Sequence, residues 1–382
     1  MAGLDETPRG NRIHIAFFGL RNAGKSTLVN DFTGQSLAIV SDVPGTTTDP
    51  VSKAMEILPL GPCLITDTAG LDDEGELGRL RVKKSLDVLA TADIAVWVAG
   101  ANELEKRVGV GEWREKFVEE CRRRGVVRLD YHRGDSVDEL KKRIASVRLE
   151  ERVPGLLDGL VKSGDRVLCI VPIDESAPKG RLILPQQQVI RACLDLGASC
   201  VVCQPAQVAD VLPIGFSLAI TDSQAFGEVA RLGLPRLTSF SVLFARQKGD
   251  LAEYVRGIRA IAGLKDGDTV LVAEGCTHHR QCNDIGSVKI PKAIERLSGR
   301  KLDFVFVSGT DFPLGEPGKP FPALVVHCGG CMLTRREMLR RIDLSRTADV
   351  PIVNYGLVLA AANGVEIEKI VPRERSEEVS DA

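Results

Sequence analysis

Histidine, aromatic residues and net charge are all scarce in this 382-residue chain: five histidines, a 4% aromatic share and a formal charge of −2. So small a charge excludes nucleic-acid binding by the surface as a whole, which needs a large positive excess. No apolar run approaches the roughly 18 residues that span a bilayer, so no membrane partner is expected. The opening Met-Ala-Gly-Leu-Asp-Glu-Thr-Pro-Arg lacks the apolar core of a secretory signal. With ten cysteines and no secretory feature, a cytoplasmic protein with free or metal-bound thiols is expected rather than a disulfide scaffold. Few aromatics leave Val, Ile, Leu and Ala to form the cores, as in α/β proteins, and a 44% hydrophobic share suffices for two or three domains.

Three of the five histidines crowd into two short stretches, Cys276-Thr-His278-His279 and His327-Cys328-Gly-Gly-Cys331. Thiolates and imidazoles are the soft and borderline ligands of iron–sulfur clusters and zinc. Each stretch follows an apolar run, Asp268–Glu274 in one case and Pro322–Val326 in the other. Both therefore lie beyond the carboxyl ends of expected strands, where open parallel sheets bind ligands. Cys276, Cys328 and Cys331 are the candidate metal ligands, with His278 or His327 as a fourth. His279 and Cys282 are expected beside the site or on the surface.

The first organised segment is a nucleotide site. Arg12–Phe18 reads as a buried strand, runs into Gly19-Leu-Arg-Asn-Ala-Gly-Lys25-Ser26 and continues into a helical Thr27–Phe32. This is the G-x-x-x-x-G-K-[ST] phosphate loop in its required context of strand before and helix after. Backbone N–H groups and the helix N-terminus suit the phosphates, Lys25 reaches the β- and γ-phosphates, and the Ser26 hydroxyl binds Mg²⁺. Expected nucleotide contacts are Gly19, Asn22, Ala23, Gly24, Lys25, Ser26 and Thr27, with Asp67 and Gly70 from Cys63-Leu-Ile-Thr-Asp67-Thr-Ala-Gly70. Asp67 would hold the metal through water, and Gly70 would offer its N–H to the γ-phosphate.

Together with Gly45-Thr46-Thr47-Thr48-Asp49, these segments resemble the Era/TrmE-type GTPases, whose loop usually reads Gly-Thr-Thr-Arg-Asp. The resemblance implies Thr47 as the switch-loop ligand to Mg²⁺. Lys25, Thr47 and Asp67 are then the catalytic set, and Asn22 implies K⁺ as an activating ion. No Asn-Lys-x-Asp follows to read guanine; after Gly125 come only Val-Val-Arg-Leu-Asp130-Tyr-His-Arg-Gly-Asp135 and the helical Ser136–Ile144. The GTPase-like domain is thus expected to be shortened by about a strand and a helix. Asp130 and Asp135 are the candidate substitutes for base recognition.

Three α/β domains are expected, at 1–153, 154–262 and 263–372, with a polar tail at 373–382. In the middle one, strands are expected at Asp165–Pro172, Cys200–Cys203, Ser217–Thr221 and Leu237–Phe244, and helices at Leu184–Leu196 and Leu251–Ala262. Cys200-Val-Val-Cys203 has redox-motif spacing, but on a strand residues three apart face opposite ways, so these cysteines, like Cys169 and Cys193, are expected to be structural. Arg335-Arg336 and Arg340-Arg341 are expected on a solvated helix face. Cys-x₃-Cys-x₂-Cys is absent, so radical-SAM chemistry is not expected of this chain.

The phosphate loop, the Cys-x-His…His-Cys-x-x-Cys set and Val171-Pro-Ile-Asp-Glu-Ser-Ala-Pro-Lys-Gly-Arg-Leu-Ile-Leu-Pro185 together resemble the HydF family of FeFe-hydrogenase maturation GTPases, across all three domains. The resemblance implies a dimerisation domain in the middle, a homodimer, and a 4Fe-4S cluster on Cys276, Cys328 and Cys331. It further implies slow GTP hydrolysis, a di-iron subcluster precursor as cargo, the radical-SAM maturases HydE and HydG upstream and apo FeFe-hydrogenase as recipient. Two other readings remain open at this stage: an Era-like GTPase with a structural Cys₃His zinc domain, and a cluster scaffold with a vestigial nucleotide site.

Overall fold

The computed structural model describes residues 7, 9–34, 51–73, 75–100, 110–149, 155–173, 182–275, 284–309, 312–314 and 321–372. The chain divides into two compact units, residues 1–152 and 153–382.

In the first unit, β1 (Ile13–Phe18), β2 (Val51–Ile57), β3 (Gly61–Asp67), β4 (Ile94–Ala99) and β5 (Val127–His132) form one sheet in the order β2-β3-β1-β4-β5. β1, β3, β4 and β5 run parallel, and β2 returns antiparallel along β3. The central strands Ile-His-Ile-Ala-Phe-Phe and Ile-Ala-Val-Trp-Val-Ala are apolar at nearly every position because helices cover both faces. Their side chains alternate accordingly. Ile15 and Phe17 enter one core with Phe32, Leu140 and Ile144; Ala16 and Phe18 enter the other with Trp97 and Phe117. The helices are α1 (Lys25–Thr33), α2 (Gly75–Thr91), α3 (Val110–Arg123) and α4 (Val137–Ala145).

Among the described residues a single strand, β5, separates α3 from α4 and pairs directly with β4. The described sheet has five strands. Strand β2 and helix α2 were not foreseen. β2 is an edge strand with only Ile57 fully buried, so its pattern is weak.

The second unit holds two parallel four-stranded sheets. One contains β6 (Arg166–Ile170), β7 (Ser199–Cys203), β8 (Leu218–Thr221) and β9 (Leu237–Ser239) in the order β7-β6-β8-β9. The other contains β10 (Thr269–Glu274), β11 (Asp303–Ser308), β12 (Leu324–His327) and β13 (Ile352–Asn354) in the order β11-β10-β12-β13. The helices are α5 (Leu184–Asp195), α6 (Phe240–Lys248), α7 (Leu251–Ala260), α8 (Ile290–Ser298), α9 (Arg335–Thr347) and α10 (Tyr355–Ala362), besides shorter turns. One continuous core joins the sheets: Leu168, Ile170 and Val242 pack into the same cluster as Val270, Val326 and Leu357. Helix α10 is apolar around most of its circumference, as its burial from Tyr355 to Ala360 requires.

The strand expected over Leu237–Phe244 is corrected. β9 stops at Ser239, whose Oγ accepts from Val242 N at 3.2 Å and caps α6. No described helix is long and apolar enough to cross a membrane.

Candidate functional site: a phosphate loop and a cysteine loop

The first unit places the phosphate loop where β1 ends and α1 begins. Lys25 is buried, and its ammonium curls back to donate to Leu20 O at 2.7 Å and Gly19 O at 3.3 Å. Ser26 Oγ donates to Asp67 Oδ2 at 2.6 Å, while Asp67 Oδ1 is buried with no hydrogen-bond partner. Burial pushes the Asp67 carboxyl above the usual carboxylate range, opposed by the Ser26 hydrogen bond and by the Lys25 charge. Burial likewise drives the Lys25 ammonium down, opposed chiefly by Asp67. A hydroxyl facing a half-satisfied buried carboxylate is the donor set a hard cation such as Mg²⁺ takes.

Gly70 lies so close to the phosphate loop that a Cβ there would stand 2.8 Å from Arg21 N. Leu71 N donates to Gly19 O at 3.2 Å and Arg21 N to Asp72 Oδ1 at 2.6 Å, so the Asp-Thr-Ala-Gly turn and the phosphate loop are tied together. Asn22 turns through a left-handed backbone with φ 62°, Ala23 is buried, and Thr27 is exposed on the first turn of α1. Thr47 lies outside the described residues.

Each candidate base reader has one carboxylate oxygen engaged within the domain, while Asp130 Oδ1 is buried without a hydrogen-bond partner. Asp130 Oδ2 accepts from Arg128 at 3.0 Å and Arg114 at 3.3 Å. Asp135 Oδ2 accepts from His132 N at 2.8 Å, and Tyr131 Oη donates to Asp135 O at 2.9 Å, closing the turn on itself.

In the second unit β10 and β12 are neighbours, so their carboxyl ends bring Gly275 beside Cys328. Gly275 N donates to Cys328 Sγ at 3.0 Å and Gly330 N at 3.4 Å. Gly330 takes φ 65° to fold the Gly-Gly turn, which returns Cys331 to the same loop. Burial pushes the Cys328 thiol up to about 11, and Cys331 is raised for the same reason, against a lowering pull from Lys248. Among the described residues no group of three or more His, Cys, Asp or Glu stands together as a metal site. Cys276, His278, His279 and Cys282 lie outside those residues. The described pair nevertheless suits a thiophilic centre, with two thiols on one loop and backbone N–H groups directed at one sulfur.

His327 does not present a free ring nitrogen here. Nδ1 must donate to Cys328 O at 2.8 Å, so Nε2 accepts from Arg341 at 2.9 Å, and the fully buried ring is held down to about 3, first by desolvation and then by the Arg341 charge. Arg341 itself is wholly buried, which corrects the solvated face expected for it. It bonds Glu337 at 2.6 Å and Gly309 O at 2.7 Å, with its guanidinium carbon 5.1 Å from the Phe312 ring centroid. Arg335 donates to Gln247 O at 2.7 Å. The missed signal was Glu337-x-x-x-Arg341, an i,i+4 acid–base pair on the helix that follows the cysteines.

Cys200 and Cys203 diverge. Cys203 packs into the shared core, whereas Cys200 packs into the opposite core with Cys169 and Cys193, its Sγ 3.4 Å from Cys169 Sγ.

Comparison with known proteins extends this geometry. A 50S ribosome-binding GTPase family model matches residues 14–124. The chain is 36% identical over 161 residues to the tRNA modification GTPase MnmE of Maricaulis maris, covering 38% of this chain and 36% of that one. It is 42% identical over 106 residues to GTPase Der of Xylella fastidiosa, covering 26% of this chain and 22% of that one. The chain therefore spans about a third or less of these relatives. A crystal structure of Aquifex aeolicus Era with GDP and aluminium fluoride aligns at 15% identity over 78% of this chain and 92% of that chain, with a TM-score of 0.28, too low to carry any argument.

With its phosphate loop, its Ser26–Asp67 pair and these relatives, the first unit is a P-loop GTPase domain, and the protein is a GTPase-domain protein bearing two further α/β sheets. Those sheets settle which one: the hydrogen maturase F dimerisation domain matches residues 156–249 and the hydrogen maturase F tetramerisation domain residues 252–372. The chain belongs to the hydrogen maturase F, or HydF, family. A tetramerisation domain was not foreseen from the sequence, which led only to a homodimer.

Proposed function

We propose that this chain is a GTP-binding iron–sulfur scaffold and carrier that helps assemble the di-iron subcluster of FeFe-hydrogenase and deliver it to the apo-enzyme, with the radical-SAM maturases HydE and HydG upstream. The observation that carries the reading is the Cys328–Cys331 loop, with two backbone N–H groups directed at Cys328 Sγ, inside the HydF-specific part of the chain. Cys276 is the third thiolate in this reading. Three thiolates leave one iron of a cubane without a protein thiolate, and a carrier needs that exchangeable position. His278 is the candidate that remains for weak occupation of it. His327 instead braces the loop, because its lone pair is committed to Arg341.

GTP with Mg²⁺ occupies the first unit in this proposal. Lys25 holds the phosphates, Ser26 and Thr47 ligate the metal, Asp67 orients it through water, and Asn22 supports a K⁺-stimulated, slow hydrolysis. The protein works in the cytoplasm as a homo-oligomer.

The test is anaerobic reconstitution of the full chain with iron and sulfide, followed by iron, sulfide and zinc analysis. One oxygen-sensitive 4Fe-4S cluster per chain is expected, largely lost in Cys276→Ser, Cys328→Ser and Cys331→Ser and kept in Cys200→Ser. Stoichiometric zinc without iron–sulfur absorbance would overturn the reading in favour of a structural zinc domain.

A further inference from the structure

Lys248 is the last residue of α6, which belongs to the β6–β9 half of the second unit, yet its side chain ends beneath the cysteine loop at the end of β12. It is 2% exposed. Its ammonium donates to Leu333 O at 2.8 Å, Cys331 O at 3.1 Å and Gly330 O at 3.4 Å. An ammonium has three donors, and here three carbonyls of one short segment take them. The stem lies against Phe244, whose ring centroid is 5.6 Å from Nζ. A further contact knits the same surfaces: Arg335 donates to Gln247 O at 2.7 Å.

Three carbonyls satisfy the hydrogen bonds of a buried cation but leave its charge uncompensated. Among the described residues, the acidic groups that bear on this ammonium are the thiols of Cys331 and Cys328, both neutral until deprotonated. A cubane held by three thiolates is anionic, and gains one more negative charge when reduced. A fixed cation under the loop therefore favours the loaded state over the empty one, and the reduced cluster over the oxidised one.

We propose that Lys248 is the positioning residue and fixed counter-charge of the cysteine loop: it holds the Gly330–Leu333 backbone in place from the neighbouring sheet and offsets the charge of the thiolate-bound cluster. This rests on the cluster reading above. Lys248 touches neither a nucleotide nor a cargo atom, so its effect reaches the cluster through the loop backbone and through the field.

The experiment compares the anaerobically reconstituted full chain with Lys248→Met, Lys248→Gln and Lys248→Arg. Iron and sulfide content, EPR-monitored redox midpoint and the rate of cluster loss to an iron chelator are measured, together with the melting temperature of each apo-protein. Methionine and glutamine keep the stem's packing but remove the charge. Both should shift the midpoint to more negative potential and speed cluster loss on the order of tenfold, the usual scale for groups supporting metal ligands. Arginine keeps the charge in a planar fork that fits three convergent carbonyls poorly. It should retain the wild-type midpoint while lowering the melting temperature.

A midpoint and loss rate unchanged in the methionine and glutamine variants would overturn the proposal, as would a lowered melting temperature with an unmoved midpoint. If neither neutral variant loads, arginine decides. Loading restored by arginine supports the counter-charge, and failure of all three variants overturns it. A wild-type protein that takes up no iron–sulfur cluster would sink the scaffold reading itself, an outcome distinguishable from all of these.

Discussion

At the scale of single residues, the nucleotide site was legible because its chemistry is local. Strand, glycine loop, Lys25 and Ser26 are contiguous, and Asp67 was expected at the same metal; the direct Ser26–Asp67 hydrogen bond of 2.6 Å was not part of that reading. What the motif did not supply was a base reader, and Asp130 and Asp135 each spend one carboxylate oxygen on contacts within their own strand, helix and turn. Affinity should therefore come mostly from phosphate and metal contacts. Competition of ATP against labelled GTP should show a preference below about a hundredfold, or ~2.7 kcal/mol. Lys25→Ala should remove binding of both nucleotides. A larger GTP preference would reveal a guanine pocket formed by other residues.

His14 carries a second residue-scale prediction. Its Nδ1 donates to Thr91 O at 3.3 Å, which leaves Nε2 to accept from Thr66 Oγ1 at 2.8 Å, and Ser52 Oγ then lies 2.8 Å from the same Thr66 oxygen. The ring is neutral in this chain of bonds, and burial lowers it from the ordinary 6.5 to about 4, against the pull of Asp93. Folded His14 thus resists a proton that the unfolded chain accepts. Stability is complete above pH 6.5 and is lost as pH falls from 6.5 towards 4, by up to about 3 kcal/mol. Chemical denaturation of the nucleotide-binding unit across that window should show the decline in wild type and a flatter profile in His14→Asn. Parallel profiles would remove His14 as the cause.

At the scale of elements, legibility depended on length. Long apolar strands such as β1 and β10 were readable, whereas the run Leu237–Phe244 was ambiguous. Three strand residues and a capped helix share it, and a short apolar stretch does not distinguish the two by periodicity. Ser239 was the deciding signal, since its hydroxyl caps α6 and leaves that helix to end on Lys248.

The same scale explains how the cysteine loop is held. Arg341 on α9 joins Glu337, His327 at the end of β12 and Gly309 beyond β11, so one buried guanidinium fastens three elements. Removing it leaves the buried Glu337 carboxylate with Arg340, 3.5 Å away, as its remaining described ion-pair partner. Leaving a buried charge with no partner costs about 3–5 kcal/mol, and the retained Arg340 contact puts the expected loss near or below the lower end of that range. Arg341→Met should lower the denaturant midpoint of the second unit accordingly, and the double variant with Glu337→Leu should recover part of the loss. A cost under about 1 kcal/mol would place this brace among ordinary surface ion pairs.

At the scale of the whole molecule, sequence alone divided the chain after residue 262, where the alternation of strand and helix passes from one sheet to the next. The fold joins what that division separates. Val208, Phe226, Val229 and Val242 on one side of the division and Val270, Ile294, Leu324 and Leu357 on the other enter one core, and Thr238 Oγ1 donates to Ile370 O at 2.8 Å across it. Two family models also divide this region, at 156–249 and 252–372; periodicity identifies which face of an element is apolar but not which neighbour covers it, so the core that the two parts share was not legible. The consequence is testable by dissection. A fragment of residues 1–152 retains both faces of its own sheet covered and should unfold cooperatively and bind Mg²⁺-nucleotide. A fragment of residues 153–262 would expose the apolar side of β6, β8 and α6 that the second sheet covers, and a surface of that kind drives aggregation. It should be poorly soluble or lack a cooperative transition, whereas residues 153–372 together should melt as one unit. A soluble, cooperatively folding 153–262 fragment would show that the first sheet closes its own core and that the shared cluster is an interface between independent domains.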